Sequence, residues 1–130
     1  MFIILDNGHG GMLNNTYQTS GKRSPKWPDG SQLFEGVFNR GIVSKIARLL
    51  DWAEIKNEIL VSEERDVSLS ERVKRVNDLY KKHPDAILIS VHANGFSDES
   101  ANGSETFVAR TASKKSREIA EIIQSNYVRL

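Results

Sequence analysis

The chain opens on a short continuous apolar run, Phe2 to Leu5, that breaks at Asp6-Asn7-Gly8; a second run, Ala86 to Val91, is interrupted only by Ser90. Unbroken runs of this length between turn-forming residues predict strands buried on both faces. Between them the period lengthens to that of a helix. From Phe34 to Trp52 the apolar positions Phe38, Ile42, Ile46, Leu49 and Leu50 recur at helical spacing, with Arg40, Lys45 and Arg48 interspersed. This span is read as an amphipathic helix. Gly41 within it costs about 1 kcal/mol relative to alanine, and is taken to mark close packing against a sheet. Ser68 to Glu71 has the Ser-x-x-Glu spacing of a capping box, and Leu69, Val73, Val76, Leu79 and Tyr80 form the expected buried stripe of the helix it starts. Pro84 ends that helix, because proline disfavours helical geometry in the residue before it. Short strands are expected around Glu58 to Val61 and Ser104 to Val108, and Ile119, Ile122, Ile123 and Tyr127 place a final helix entered near Thr111.

Strands alternating with helices predict an α/β fold, a mostly parallel mixed sheet with helices on both faces in a single domain. The stretch from Gly10 to Gln32, rich in Gly, Ser, Asn, Lys and Pro, shows no sustained period. It reads either as a functional loop or as a mobile surface loop. Trp27 within it has two readings as well, stacking on a sugar or anchoring the loop.

Composition narrows the chemistry. A chain of 130 residues with 38% hydrophobic and 27% charged residues suits one globular core. A formal net charge of +1 gives no broad attraction to nucleic acid. Without cysteine, any metal must be held by histidine and carboxylate. No apolar run reaches the 18 or so residues of a membrane span, and the opening lacks the basic leader of a signal peptide. The expectation is a protein made in the cytoplasm without an export signal.

His9 follows the first apolar run and His92 the second. In open parallel sheets ligands bind beyond the carboxyl ends of strands. Glu35 begins the first helix, where the helix dipole favours a negative charge. Two imidazoles and a carboxylate make a three-ligand zinc set with a fourth position open to water. Each residue also has a plain reading: a histidine hydrogen-bonded for structure, a glutamate serving only the helix dipole. His83, beside Pro84, reads as a surface residue. A phosphoryl enzyme using Gly8-His9-Gly10 is disfavoured, since Gly8 stands where an arginine is wanted and no Gly-Lys-Ser/Thr phosphate loop occurs.

The segments Ile4-Leu5-Asp6-Asn7-Gly8-His9-Gly10-Gly11, Glu35 with Asn39, and Leu88-Ile89-Ser90-Val91-His92-Ala93-Asn94 resemble, in order, the metal-ligand segments of the zinc-dependent N-acetylmuramoyl-L-alanine amidases of the Amidase_3 type. Arg65 to Val73 followed by Asn77 is similar to the family's second-helix entry, and Gly21 to Pro25 with Asp29-Gly30 resembles the loop of phage-type members. The resemblance implies that His9, Glu35 and His92 bind Zn2+. It also implies a peptidoglycan substrate, cut at the amide between the lactyl group and L-alanine, with action at the cell wall. Asn94 and Trp27 are placed as substrate-binding residues.

In the family a second glutamate, on a strand near the domain's end, handles the water proton. That segment is expected beyond Leu130, so the chain is read as truncated at its C-terminus relative to the family. Turnover is expected to be weakened by about 10²–10⁴-fold, the usual worth of acid–base assistance. Glu105 is the alternative base, and its plain reading is an ordinary strand carboxylate. An unpaired sheet edge is expected to favour self-association. The other reading of the whole chain is a zinc-containing peptidoglycan-binding module without catalysis.

Overall fold

A computed structural model describes residues 1–95, 100 and 102–127. The chain divides into two compact units, Met1–Gly95 and Phe96–Leu130.

The first unit is built on β1 (Ile3–Asn7), flanked by β4 (Asn57–Ile59) and β5 (Ile87–Val91) in the order β4-β1-β5. Both pairings are parallel, with Ile3 opposite Asn57 on one side and Ile87 on the other. Every residue of β1 is buried, the apolar Ile3 to Leu5 as suits a central strand, and the polar Asp6 and Asn7 with them. Successive side chains leave opposite faces. Ile3 and Leu5 pack with Val43 and Ala47 of α1 (Glu35–Trp52), whereas Phe2 and Ile4 pack with Leu60, Val61, Val67 and Leu79, the last on α2 (Leu69–Lys82). Helices therefore cover both faces. Side chains such as Ile4 and Leu5 each contribute about 1.5–3 kcal/mol by leaving water.

Both helices are rotated from their sequence-based phase. On α1 the buried positions are Glu35, Gly36, Asn39, Val43 and Ala47, while Phe38 and Leu49 are exposed at 44% and 65%. On α2, Leu69 and Val73 are exposed, and Arg72 takes the buried place beside Leu79. Polar residues occupy the inner stripe because the strand ends beneath them carry polar groups to satisfy. Gly41 is not a close-packing point: an added Cβ would meet nothing within 4 Å. The Ser68 hydroxyl caps α2 by accepting from the Glu71 amide at 3.3 Å. The Glu71 carboxylate pairs instead with Arg65 and Arg75, each at 2.7 Å or less.

The long loop contains a small antiparallel hairpin, β2 (Met12–Leu13) and β3 (Thr16–Tyr17), turned by Asn14 and Asn15 at φ 49° and 59°. Two successive left-handed residues make the tight turn that suits a hairpin, and asparagine tolerates that conformation. His83 is half-buried, stacked on Phe2 with ring centroids 3.9 Å apart, so it is not the free surface residue expected.

In the second unit, α3 (Lys114–Tyr127) begins after Ser113, whose hydroxyl accepts from the Ser116 amide at 3.1 Å. Residues 104–108 form no strand. Thr106 bonds Gln124 through side chains at 2.9 Å, and the Gln124 amide donates to the Ser104 carbonyl. The alternating sequence there finds α3 rather than a strand to bind. Among the described residues no helix is long and apolar enough to cross a membrane.

Candidate metal centre

β1 ends at Asn7, but its ladder runs one bond further, the Gly8 amide donating to the Val91 carbonyl at 3.1 Å. The chain then turns sharply through His9, which has φ 70°, a left-handed conformation uncommon for a residue with a side chain. The turn is gripped from all sides. Asn39 Nδ2 donates to the Gly8 carbonyl at 3.1 Å, and the Gly10 amide donates to Thr19 Oγ1 at 2.7 Å. Arg40 Nη1 and Arg72 Nη2 both donate to the His9 carbonyl, at 2.9 and 3.0 Å.

Glu35 is the first residue of α1 and has no side-chain cap before it, since Phe34 stands at the N-cap. Its neighbour's amide, Gly36 N, is satisfied by the Tyr17 hydroxyl at 2.9 Å, which itself donates to the Lys22 carbonyl. Burial, the largest influence, pushes the Tyr17 hydroxyl above its ordinary pKa and keeps it a donor. Gly36 has no room for a side chain because a Cβ would collide with the Gly10 carbonyl, so α1 starts directly against the His9 turn. His92 follows β5 and lies over Gly8, where a Cβ would strike its ring.

These three elements bring His9, Glu35 and His92 together. A single carboxylate oxygen, Glu35 Oε1, lies 3.2 Å from His9 Nε2 and 3.1 Å from His92 Nδ1, and accepts from the Ala93 amide at 3.2 Å. The donor atoms of all three residues lie within 4.8 Å of one another. Donors about 2.0–2.1 Å from a tetrahedral zinc stand about 3.3 Å apart; the two shorter separations here match that spacing. The group fits a metal ion. Burial, the largest influence, lowers the His9 pKa below the ordinary histidine value against the pull of the Glu35 carboxylate. A neutral ring with a free lone pair is the form a metal requires. His9 and Glu35 are largely enclosed, whereas the His92 side chain is 42% exposed, so the centre opens to solvent on the His92 side.

The other sequence-based candidates lie outside this cluster. Trp27 has an exposed ring on a turn closed by the Gly30 amide and the Trp27 carbonyl at 2.8 Å. Asn94 is exposed just after His92. Glu105 is exposed in the second unit, on residues that form no strand. Sequence reasoning missed Arg40, Arg72 and Tyr17. Their only sequence signal was a charged residue in phase with the buried side of a helix, visible at Arg72, three and seven residues before Arg75 and Leu79.

Among curated proteins no relative matches this chain. Solved structures that share its fold include two amidases. One is the catalytic domain of CwlV, an N-acetylmuramoyl-L-alanine amidase from Bacillus (Paenibacillus) polymyxa var. colistinus, with TM-score 0.65 and 22% identity over 95% of this chain and 60% of that one. The other is the CwlD amidase from Clostridioides difficile, solved in complex with the GerS lipoprotein, with TM-score 0.71 and 23% identity over 98% of this chain and 65% of that one. The chain thus spans less than two thirds of either. Residues 3–130 match the Amidase_3 family, described as N-acetylmuramoyl-L-alanine amidase. With a match of that extent, which takes in His9, Glu35 and His92, the chain belongs to the Amidase_3 family.

Proposed function

We propose that this chain is a zinc-dependent N-acetylmuramoyl-L-alanine amidase that hydrolyses the bond between the lactyl group of N-acetylmuramic acid and L-alanine in peptidoglycan. The observation that carries the reading is Glu35 Oε1 set between two imidazole nitrogens at 3.1 and 3.2 Å, at the carboxyl ends of adjacent parallel strands. Family membership supports amide hydrolysis as the chemistry of such a site. His9 Nε2, a Glu35 oxygen and His92 Nδ1 would hold the ion. When bound, zinc supplies a Lewis acid for the amide carbonyl and lowers the pKa of water to about 7.

The residues prepare that chemistry. Glu35 sits in the first turn of α1, where the helix dipole favours a carboxylate, and the Ala93 amide donates to the shared oxygen. The exposed side of His92 is the approach for a substrate as large as a glycan strand with its stem peptide. In the net reaction water adds its oxygen to the lactyl carbonyl carbon and the C–N bond breaks. A carboxylate and the free amino group of L-alanine result, the amine taking up a proton. Trp27, with its ring open to solvent, is the candidate for stacking on a sugar, and Asn94 for contact beside the metal. Action at the cell wall follows from that substrate.

The test is to purify the protein without a metal-affinity tag, measure bound metals, and follow release of L-alanine amino groups from peptidoglycan. Stoichiometric zinc and amino-group release, both lost in Glu35→Ala, are expected. Zinc with binding to peptidoglycan but no release would establish a non-catalytic wall-binding module instead.

A further inference from the structure

Arg72 is buried, and its guanidinium is shared among four acceptors. It donates to Asp6 Oδ1, to the Asn7 carbonyl at 3.3 Å, to the Val67 carbonyl at 3.0 Å and to the His9 carbonyl at 3.0 Å. The second oxygen of Asp6 accepts from Ser90 Oγ at 2.7 Å. This chain of bonds joins α2, the end of β1 and the residue two before His92 on β5. Arg40 does the corresponding work on the other side. Its Nη1 donates to the carbonyls of His9 at 2.9 Å and Gly36 at 3.2 Å, and its Nη2 donates to the Glu63 carbonyl at 2.7 Å. One nitrogen thus ties the backbone of His9 to the residue after Glu35.

We propose that Arg40 and Arg72 are positioning residues, a pair of guanidinium clamps on the His9 carbonyl that hold the three ligands at their spacing and so set the affinity of the site for a divalent metal ion. The argument rests on the reading of His9, Glu35 and His92 as ligands. A left-handed His9 would relax toward an ordinary conformation if its carbonyl were free, and relaxation would swing the imidazole away from Glu35. Two charge-assisted bonds to one carbonyl oppose that, and such bonds are about twice as strong as neutral ones. Simple structural support would need neither cation at this atom. Groups that orient metal ligands typically change metal affinity by about 10–100-fold when removed.

The experiment measures zinc affinity by competition with a chromophoric chelator, alongside the melting temperature of the metal-free protein and the His9 carbonyl ¹³C shift. The variants are Arg40→Met and the paired Asp6→Asn with Arg72→Met, which leaves no buried charge unpaired. Leu79→Ala, a buried position of α2 outside the network, serves as a control that destabilises without touching the clamp. Both clamp variants are expected to shift the His9 carbonyl resonance and to weaken zinc binding by about 10–100-fold, while Leu79→Ala lowers the melting temperature and leaves affinity within twofold. Unchanged affinity in the clamp variants, or an equal loss in Leu79→Ala, overturns the proposal. His9→Ala separates the two readings. If it leaves wild-type affinity intact, the ligand assignment fails; if it abolishes binding while the clamp variants bind normally, only the clamp fails.

Discussion

His9 leaves β1 and His92 leaves β5, neighbouring parallel strands, and their rings meet edge to face with centroids 4.9 Å apart. The first is held through its backbone: Asn39, Thr19, Arg40 and Arg72 grip the carbonyls and amides of residues 8–10. Both rings meet Glu35 Oε1, His9 at 3.2 Å and His92 at 3.1 Å, but the His92 side chain faces solvent. Equivalent places in a sheet thus give unequal candidate ligands. One is fixed by the protein's own hydrogen bonds; the other has open space beside it. The difference arises because β1 is the central strand, enclosed by both helices, while β5 pairs only with β1 among the described residues.

The largest expected effect removes a ligand outright. His9→Gly keeps the left-handed turn, which glycine adopts without strain, and His92→Ala leaves an open surface. Each is expected to lose stoichiometric zinc while retaining the wild-type circular dichroism spectrum. If either variant keeps its zinc, that histidine is not a ligand.

Next come the two glycines under the site. Gly36→Ala sets a Cβ against the Gly10 carbonyl, a backbone atom without freedom to retreat, whereas Gly8→Ala sets one against the His92 ring, which can rotate away. Gly36→Ala is expected to destabilise the metal-free protein by about 1–3 kcal/mol, as overpacking does. Gly8→Ala is expected to cost less stability but to weaken zinc binding. Urea unfolding with chelator competition measures both. Equal destabilisation by the two would mean that His92 is as rigidly seated as His9.

Away from the site the sign reverses. Gly41→Ala on the exposed side of α1 meets nothing within 4 Å, and alanine there is expected to stabilise by about 1 kcal/mol with zinc affinity unchanged. A change in affinity would show that α1 as a whole, and not its first turn, sets the position of Glu35.

The smallest effect concerns acid. Hydrogen bonds from Arg75 hold the Glu63 carboxyl at about 2, below its ordinary 4.5, and the Glu63 carbonyl receives Arg40. A carboxyl lowered on folding adds stability above its ordinary range and loses it as the pH falls from 4.5 toward 2. Because the pair is partly exposed, the contribution is small. The difference in melting temperature between wild type and Glu63→Gln is expected to be slight at pH 7 and to vanish toward pH 2. A difference that grows on acidification would contradict the ion pair.

The sequence by itself determined the strands β1 and β5, the helices α1, α2 and α3, and the three candidate ligands. Short continuous apolar runs bounded by turn residues suit a strand covered on both faces, and the candidate-ligand segments are local strings of residues. Tertiary structure alone decided what surrounds them. The inward phase of each helix depends on what lies beneath it, and here the polar ends of β1 draw Asn39, Arg40 and Arg72 inward at the expense of Phe38, Leu49 and Val73. Residues 104–108 alternate as a strand would, yet strand formation requires a partner ladder, and in the second unit Ser104 and Thr106 bond to Gln124 of α3 instead. Arginines in a helical pattern read as solvated surface until a partly buried carbonyl is found within 3.0 Å of them. That carbonyl belongs to a residue 31 positions away from Arg40 and 63 from Arg72, a separation across which no local pattern carries information.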